Sequence, residues 1–174
     1  MKHTGIMLLM LFPIMAFAQD WKIFTDTAGM FTASYPAIWD NKIKTGNRVF
    51  FTSPAEKEGD IFRQNVNISV STNPEYGTSY TIKDVSADVL ESVRKSFLSF
   101  NEESNTLITW NGIEACEITY TGYSKSDEQI WIRIKQRMCF YKTRLYLVTY
   151  VALAEEDVYK ATAMKIINSI KFKP

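Results

Sequence analysis

The sequence has 174 residues, of which 46% are hydrophobic and 14% aromatic, and this composition excludes a disordered chain and fits one domain with a real core. Its 20 basic and 19 acidic residues are nearly balanced, which predicts no nucleic acid or other polyanionic partner. The only histidine is His3, within an N-terminal segment that export is expected to remove. Serine or cysteine catalysis through histidine and His-ligated metal sites are therefore excluded from the mature protein.

The N-terminus has the pattern of a secretory signal peptide. Lys2 precedes an apolar stretch over 6–17 that is too short to span a bilayer, and an A-x-A sequence ends at Ala18. A membrane anchor or a buried strand is the alternative. We expect residues 1–18 to be removed and one domain, 19–174, to reach the periplasm or the extracellular space.

The first half of the mature chain contains four predicted strands. They cover residues 21–25, 30–35, 48–53 and 64–72. In the last of these, Val66, Ile68 and Val70 alternate with polar residues, which is typical of a strand with one face in water.

Two segments have the periodicity of amphipathic helices. From Thr81 to Phe100, apolar residues recur every three or four positions, and Thr81 with Asp84 predicts a capping box. The segment from Glu155 to Ser169 begins with three acidic residues, which are favoured at a helix N-terminus.

Between these helices the sequence predicts an antiparallel meander of four strands. The strands cover residues 106–110, 113–121, 129–141 and 144–152, and Asn111-Gly112 predicts a tight turn between the first two. Matching apolar residues pairs Ile118 with Ile132, and a turn at Lys142-Thr143 pairs Phe140 with Leu145.

Both faces of the predicted sheet carry apolar residues, so both need cover. We therefore expect an α+β fold with helices packed on both faces of an antiparallel sheet, an α-β-α sandwich. The same register puts Cys116 and Cys139 on opposite faces, which favours two free thiols. A disulfide stays open, because an exported chain meets an oxidising compartment.

Several short motifs along the chain resemble the PsbP-like superfamily, which includes DcrB-type exported proteins. They are F-x-x-x-Y-P-x-x-W over 31–39, N-G-I-E-A over 111–115, Y-T-G over 120–122, L-Y-L-V-T-Y over 145–150 and I-I-N-S-I-K-F over 166–172. The resemblance implies an antiparallel sheet between helices, and a binding or assembly role rather than catalysis.

One stripe of the third meander strand combines basic and aromatic side chains, as in β-surfaces that bind anionic ligands. Its members are Trp131, Arg133, Lys135, Arg137 and Tyr141. The alternative interpretation is a covered face on which these long side chains pack against a helix and pair with acidic neighbours such as Glu117.

We predict a non-enzymatic binding or accessory protein with no cofactor and no metal, a monomer whose partner is an unidentified protein or small ligand. A second hypothesis is a carrier of a small hydrophobic ligand or lipid, with a pocket lined by Trp39, Phe50, Phe51 and Trp110. A hydrolase that uses carboxylates without histidine is a third, less favoured hypothesis.

Overall fold

The computed structural model describes residues 20–28, 30–44, 48–60, 62–124, 127–155 and 157–174. The predicted signal peptide lies outside them. Within these ranges no helix is long and apolar enough to span a membrane.

A seven-stranded antiparallel sheet, in the order β3-β4-β5-β9-β8-β7-β6, forms the centre of the fold. Its strands are β3 (Asp40–Lys44), β4 (Arg48–Thr52), β5 (Asn65–Thr72), β6 (Phe97–Trp110), β7 (Ile113–Ser124), β8 (Asp127–Tyr141) and β9 (Arg144–Leu153). The last four strands form the predicted meander. The predicted α+β class is correct.

A second sheet of three strands packs beside the first. It has the order β1-β2-β10, with β1 (Trp21–Asp26), β2 (Phe31–Pro36) and β10 (Lys171–Phe172). The sequence predicted β1 and β2 but neither β10 nor the exposed strand β3, which is short and has no buried residue. Short strands without an apolar face give no periodic signal.

Both helices are shorter than the sequence predicted. The first, α1 (Ile82–Ser96), begins at the predicted capping box of Thr81 and Asp84, but the chain becomes extended at Phe97 and enters β6 directly. The second, α2 (Lys160–Ser169), begins five residues after Glu155. The predicted helix was too long because apolar residues beyond Ser96 continue the helical spacing. In the structure these residues belong to β6 and pair with β7.

The predicted turn at Asn111-Gly112 is present. Both residues have positive φ, 54° and 77°, as a type I′ turn requires, and Trp110 pairs with Ile113. The Asn111 side-chain amide also donates to the carbonyl oxygen of Ile170 at 2.7 Å, which fixes the turn against the end of α2.

The predicted register between β7 and β8 was wrong by four residues. Ile118 lies opposite Gln136 and not Ile132, whereas the predicted pairing of Phe140 with Leu145 is correct. The register is continuous along β7 from Ala115 to Tyr123, and an irregularity follows, where β8 advances by four residues while β7 advances by one. A shift by an even number keeps each side chain on its predicted face.

The buried side chains form two clusters, and adjacent residues of β7 belong to different ones. Ala115 is buried with residues of α2 and of the small sheet, such as Ile166 and Phe31. Cys116 is buried with residues of α1, such as Val85. The seven-stranded sheet thus has apolar contacts on both faces.

Cys116 and Cys139 are both buried free thiols, one in each cluster. The prediction that the strand period separates them is confirmed. Burial raises the pKa of the Cys139 thiol to about 12, so this sulfur stays protonated at neutral pH.

Candidate functional site

The five residues of the predicted binding stripe lie along β8, and each is engaged by a neighbour. At the two ends, Trp131 packs edge-on against Tyr123, and Tyr141 stacks on Phe172 with ring centroids 5.3 Å apart. Each of these two aromatic rings thus already packs against another aromatic ring.

The three basic residues of the stripe take part in ion pairs. Lys135 Nζ and Arg137 Nη2 donate to Glu117 at 2.6 and 2.7 Å, and Arg133 donates to Glu103 at 3.3 Å. Burial alone would raise the pKa of Glu117, but the hydrogen bonds from Lys135 and Arg137 outweigh it and lower this pKa. These contacts match the alternative interpretation, a covered face whose charges pair with Glu117.

Two stripe residues nevertheless border a cavity of about 390 Å³ on the α2 side of the sheet. A straight row of paired residues crosses four strands at its floor: Ser104, Thr119, Lys135 and Tyr150. Lys160 and Met164 of α2, one helical turn apart, form its wall. We call this cavity, defined by these six residues, the polar pocket.

The acceptors around the polar pocket already have donors. Glu103, at the bulge of β6, receives the Arg133 guanidinium on both carboxylate oxygens, and Asp157 is hydrogen-bonded by the Tyr150 hydroxyl. Burial, and then the hydrogen bond to Asp157, raise the pKa of Tyr150, so this hydroxyl keeps its proton. The row is neutral at Tyr150 and cationic at Lys135.

One buried polar atom at the floor of the pocket has no partner. Thr119 is 6% exposed, and its Oγ1 forms no hydrogen bond with any described residue. Buried hydroxyls nearly always find a partner, so an unpaired one at a cavity surface marks a place where something else can bind. Nothing in the sequence pattern had singled out Thr119.

A larger cavity of about 760 Å³ lies between α1 and β6. Leu90, Leu107 and Ala87 supply apolar surface, and Lys83, Arg94 and Lys95 supply positive charge at its rim. We call this cavity the α1 groove. At its floor the Cys116 thiol lies 3.3 Å from Ser86 Oγ and 3.1 Å from Asn105 Oδ1.

The α1 groove borders an edge of the sheet. The adjacent strand β6 is the terminal strand, and within the described ranges it pairs only with β7. The outer backbone groups of such a strand are available to another extended chain.

No protein-family profile matches the chain, and no curated protein matches it. Several solved structures, however, match the chain. A Bacteroides thetaiotaomicron protein matches with a TM-score of 0.59 and 13% identity over 88% of this chain, which spans about half (48%) of that protein. Cyanobacterial PsbP from Synechocystis matches with a TM-score of 0.61 and 13% identity, over 94% of this chain and 98% of PsbP.

The Ran-binding protein Mog1p of Saccharomyces cerevisiae also matches, with a TM-score of 0.60 and 6% identity, over 89% of this chain and 96% of Mog1p. The chain has the PsbP-like fold. At these identities the likeness concerns the fold, which confirms the resemblance carried by the sequence motifs.

Within the PsbP-like fold, the motif residues are structural. Phe31, Tyr35 and Trp39 of the F-x-x-x-Y-P-x-x-W motif are all at most 7% exposed and belong to one core cluster. They hold the small sheet against the large one. The motif that carries the resemblance therefore serves the packing of the PsbP-like fold.

The aromatic residues expected to line a carrier pocket lie elsewhere in this PsbP-like fold. Trp39, Phe51 and Trp110 are buried in one core cluster, and Phe50 is half-buried on β4. The two large cavities are lined by other residues. The described ranges also hold no cluster of three or more side chains suited to a metal.

Proposed function

We propose that this chain is an exported, non-enzymatic binding protein that acts as an accessory factor by holding a segment of a partner protein in the α1 groove. The N-terminal pattern of residues 1–18 supports export. The lack of histidine in 19–174 supports a non-enzymatic role, because the common nucleophilic triads need an imidazole.

The fold neighbours support a binding role in general terms. One of them is a Ran-binding protein by name and another is cyanobacterial PsbP. An exported chain would not meet Ran, so the partner proposed here is a different protein of the envelope.

We also infer an α-β-α arrangement, in which α1 and α2 cover opposite faces of the seven-stranded sheet. The division of the core supports it, because α1 and α2 contribute to different clusters on either side of β7. Such an arrangement keeps the α1 groove and the polar pocket on separate faces.

The position of the α1 groove beside a free sheet edge is the observation on which the proposal depends. An extended segment can pair its backbone with the outer edge of β6 and place alternate side chains over Leu90 and Leu107. Arg94 and Lys95 at the rim are already paired with carboxylates. Lys83 forms no ion pair with any described side chain, which favours an acidic side chain near it in that segment.

A second candidate function is transport of a small hydrophobic ligand or lipid in the same groove. The apolar surface of Ala87, Leu90 and Leu107 and the volume of about 760 Å³ favour it. The charged rim would then contact the polar end of the ligand.

The experiment is native mass spectrometry of the protein purified from its own cell envelope, as wild type and as two variants of α1. Ala87→Trp fills the groove from an exposed position that lines it. Ser92→Trp is the control, because Ser92 is exposed on the same helix and does not line the groove. Circular dichroism establishes that both variants fold.

A bound protein that is lost in Ala87→Trp and kept in Ser92→Trp would support the accessory role. A bound lipid or other apolar molecule with the same pattern would support the carrier and contradict the accessory role. Ligand-free protein, or a complex unaffected by Ala87→Trp, would contradict both functions.

A further inference from the structure

The polar pocket holds unused hydrogen-bond donors. The Thr119 hydroxyl is buried without a partner, and Lys160 forms no ion pair with any described side chain. The carboxylates of Glu103 and Asp157, in contrast, are already hydrogen-bonded. The Thr119 hydroxyl can donate or accept, whereas the Lys160 ammonium can only donate, so a ligand that supplies acceptor oxygens satisfies both groups.

The start of α2 adds to this donor character. Tyr159 occupies the N-cap position without a side-chain hydrogen bond to the helix, so the first-turn amides lack the usual cap. The partial positive charge of this helix end lies on the same side of the pocket as Lys160.

Among the residues that the structure describes, the charges around the pocket leave one positive charge without a counterpart. The described residues of the pocket and the side chains bonded to them carry four cations and three carboxylates. These are Arg133, Lys135, Arg137 and Lys160, and Glu103, Glu117 and Asp157. A monovalent anion would balance this charge, whereas a phosphate dianion would leave a negative charge beside Glu103 and Asp157.

We propose that the polar pocket binds a small organic carboxylate whose oxygens accept from the Thr119 hydroxyl and the Lys160 ammonium. The remaining volume, within about 390 Å³, holds a compact body against Met164 and Ser104. This site is separate from the α1 groove and does not depend on the function proposed for it.

The test is a titration followed by ¹H–¹⁵N correlation spectra, with the monocarboxylates N-acetylglycine and butyrate as probes and inorganic phosphate as the comparison. For ligands this small we expect Kd values on the order of 1 mM. The amide signals of Thr119, Lys135 and Lys160 should shift together along one saturating curve, while the α1 signals stay unchanged.

Two substitutions examine the proposed contacts. Thr119→Val keeps the side-chain shape and removes one hydrogen bond, so affinity should fall by roughly 2- to 12-fold while the melting temperature stays the same or rises. Lys160→Gln should weaken carboxylate binding by about 5-fold or more, and Lys160→Arg should retain it. Lys165→Gln is the control, since Lys165 is exposed on α2 outside the pocket.

Three outcomes would overturn the proposal. One is the absence of saturable shifts with either carboxylate at 50 times the expected Kd, roughly 50 mM. Another is tighter binding of inorganic phosphate than of both carboxylates, which would assign the pocket to a dianion. The third is carboxylate binding that is unchanged by both Thr119→Val and Lys160→Gln.

Discussion

Replacing Glu117 by Gln removes the one negative charge that holds Lys135 and Arg137 together on the covered face of the sheet. All three side chains are at most 22% exposed, so water replaces the lost contacts only in part. Glu117 accepts one hydrogen bond from Lys135 on one oxygen and two from Arg137 on the other. Glutamine keeps one acceptor oxygen, so at least one of these charge-assisted hydrogen bonds and the charge balance are lost. We expect a loss of about 1.5–3 kcal/mol in the free energy of unfolding at pH 7.

The effect of Glu117→Gln should depend on pH with a defined sign. The pKa of Glu117 is lowered on folding from its usual value of 4.5, so its stabilisation is complete above that value and is lost as pH falls through the lowered pKa. The difference between wild type and variant should therefore shrink below pH 4.5.

Urea denaturation followed by tryptophan fluorescence at pH 7 and pH 3 measures both quantities. Glu91→Gln is the matched control, because the Glu91–Lys95 pair is about two-thirds exposed on α1 and should contribute no more than about 0.5 kcal/mol. If Glu117→Gln lies within 0.5 kcal/mol of wild type at pH 7, or if its deficit does not shrink at pH 3, the reasoning from burial and charge is wrong.

Gly112→Val should lower the free energy of unfolding by about 1–3 kcal/mol, because φ is +77° there although the site has open space; unchanged thermal denaturation would contradict the turn. Gly122→Ala should cost more, at least about 3 kcal/mol, since its Cβ would lie 2.0 Å from the Ser99 carbonyl oxygen, and soluble, wild-type-like melting would refute this packing. Cys116 and Cys139 should react with Ellman's reagent only after denaturation; fast labelling of the native protein, or absence of thiols after denaturation, would disprove two buried free thiols.

The sequence was enough to predict which face of the central sheet each side chain occupies, but it did not predict the register between β7 and β8. Pairing Ile118 with Ile132 maximised apolar contact, whereas the structure places the polar Gln136 opposite Ile118. Gln136 tolerates burial because its amide is hydrogen-bonded to Thr149 and Tyr120. A register chosen only by pairing apolar residues cannot anticipate a buried polar residue that is hydrogen-bonded within the protein.

The candidate sites show the same limit. Sequence patterning identified Arg133 and Lys135 as a basic stripe, and the structure brings these two residues to the polar pocket. The sequence offered no reason to choose Thr119 or Lys160. Thr119 is an ordinary strand residue, and Lys160 begins a helix that was expected to start five residues earlier. Their proximity depends on where β7 and α2 lie in three dimensions.

The separation of the core into two clusters by one sheet has a consequence for how this protein can change over time. Residues such as Val85 and Ile166 share no buried neighbour, so substitutions near one should have effects on stability that add to those near the other. Selection can therefore reshape the surface beside α1 without disturbing the surface beside α2. A lineage carrying this domain is free to alter the surface beside one helix while it conserves the surface beside the other.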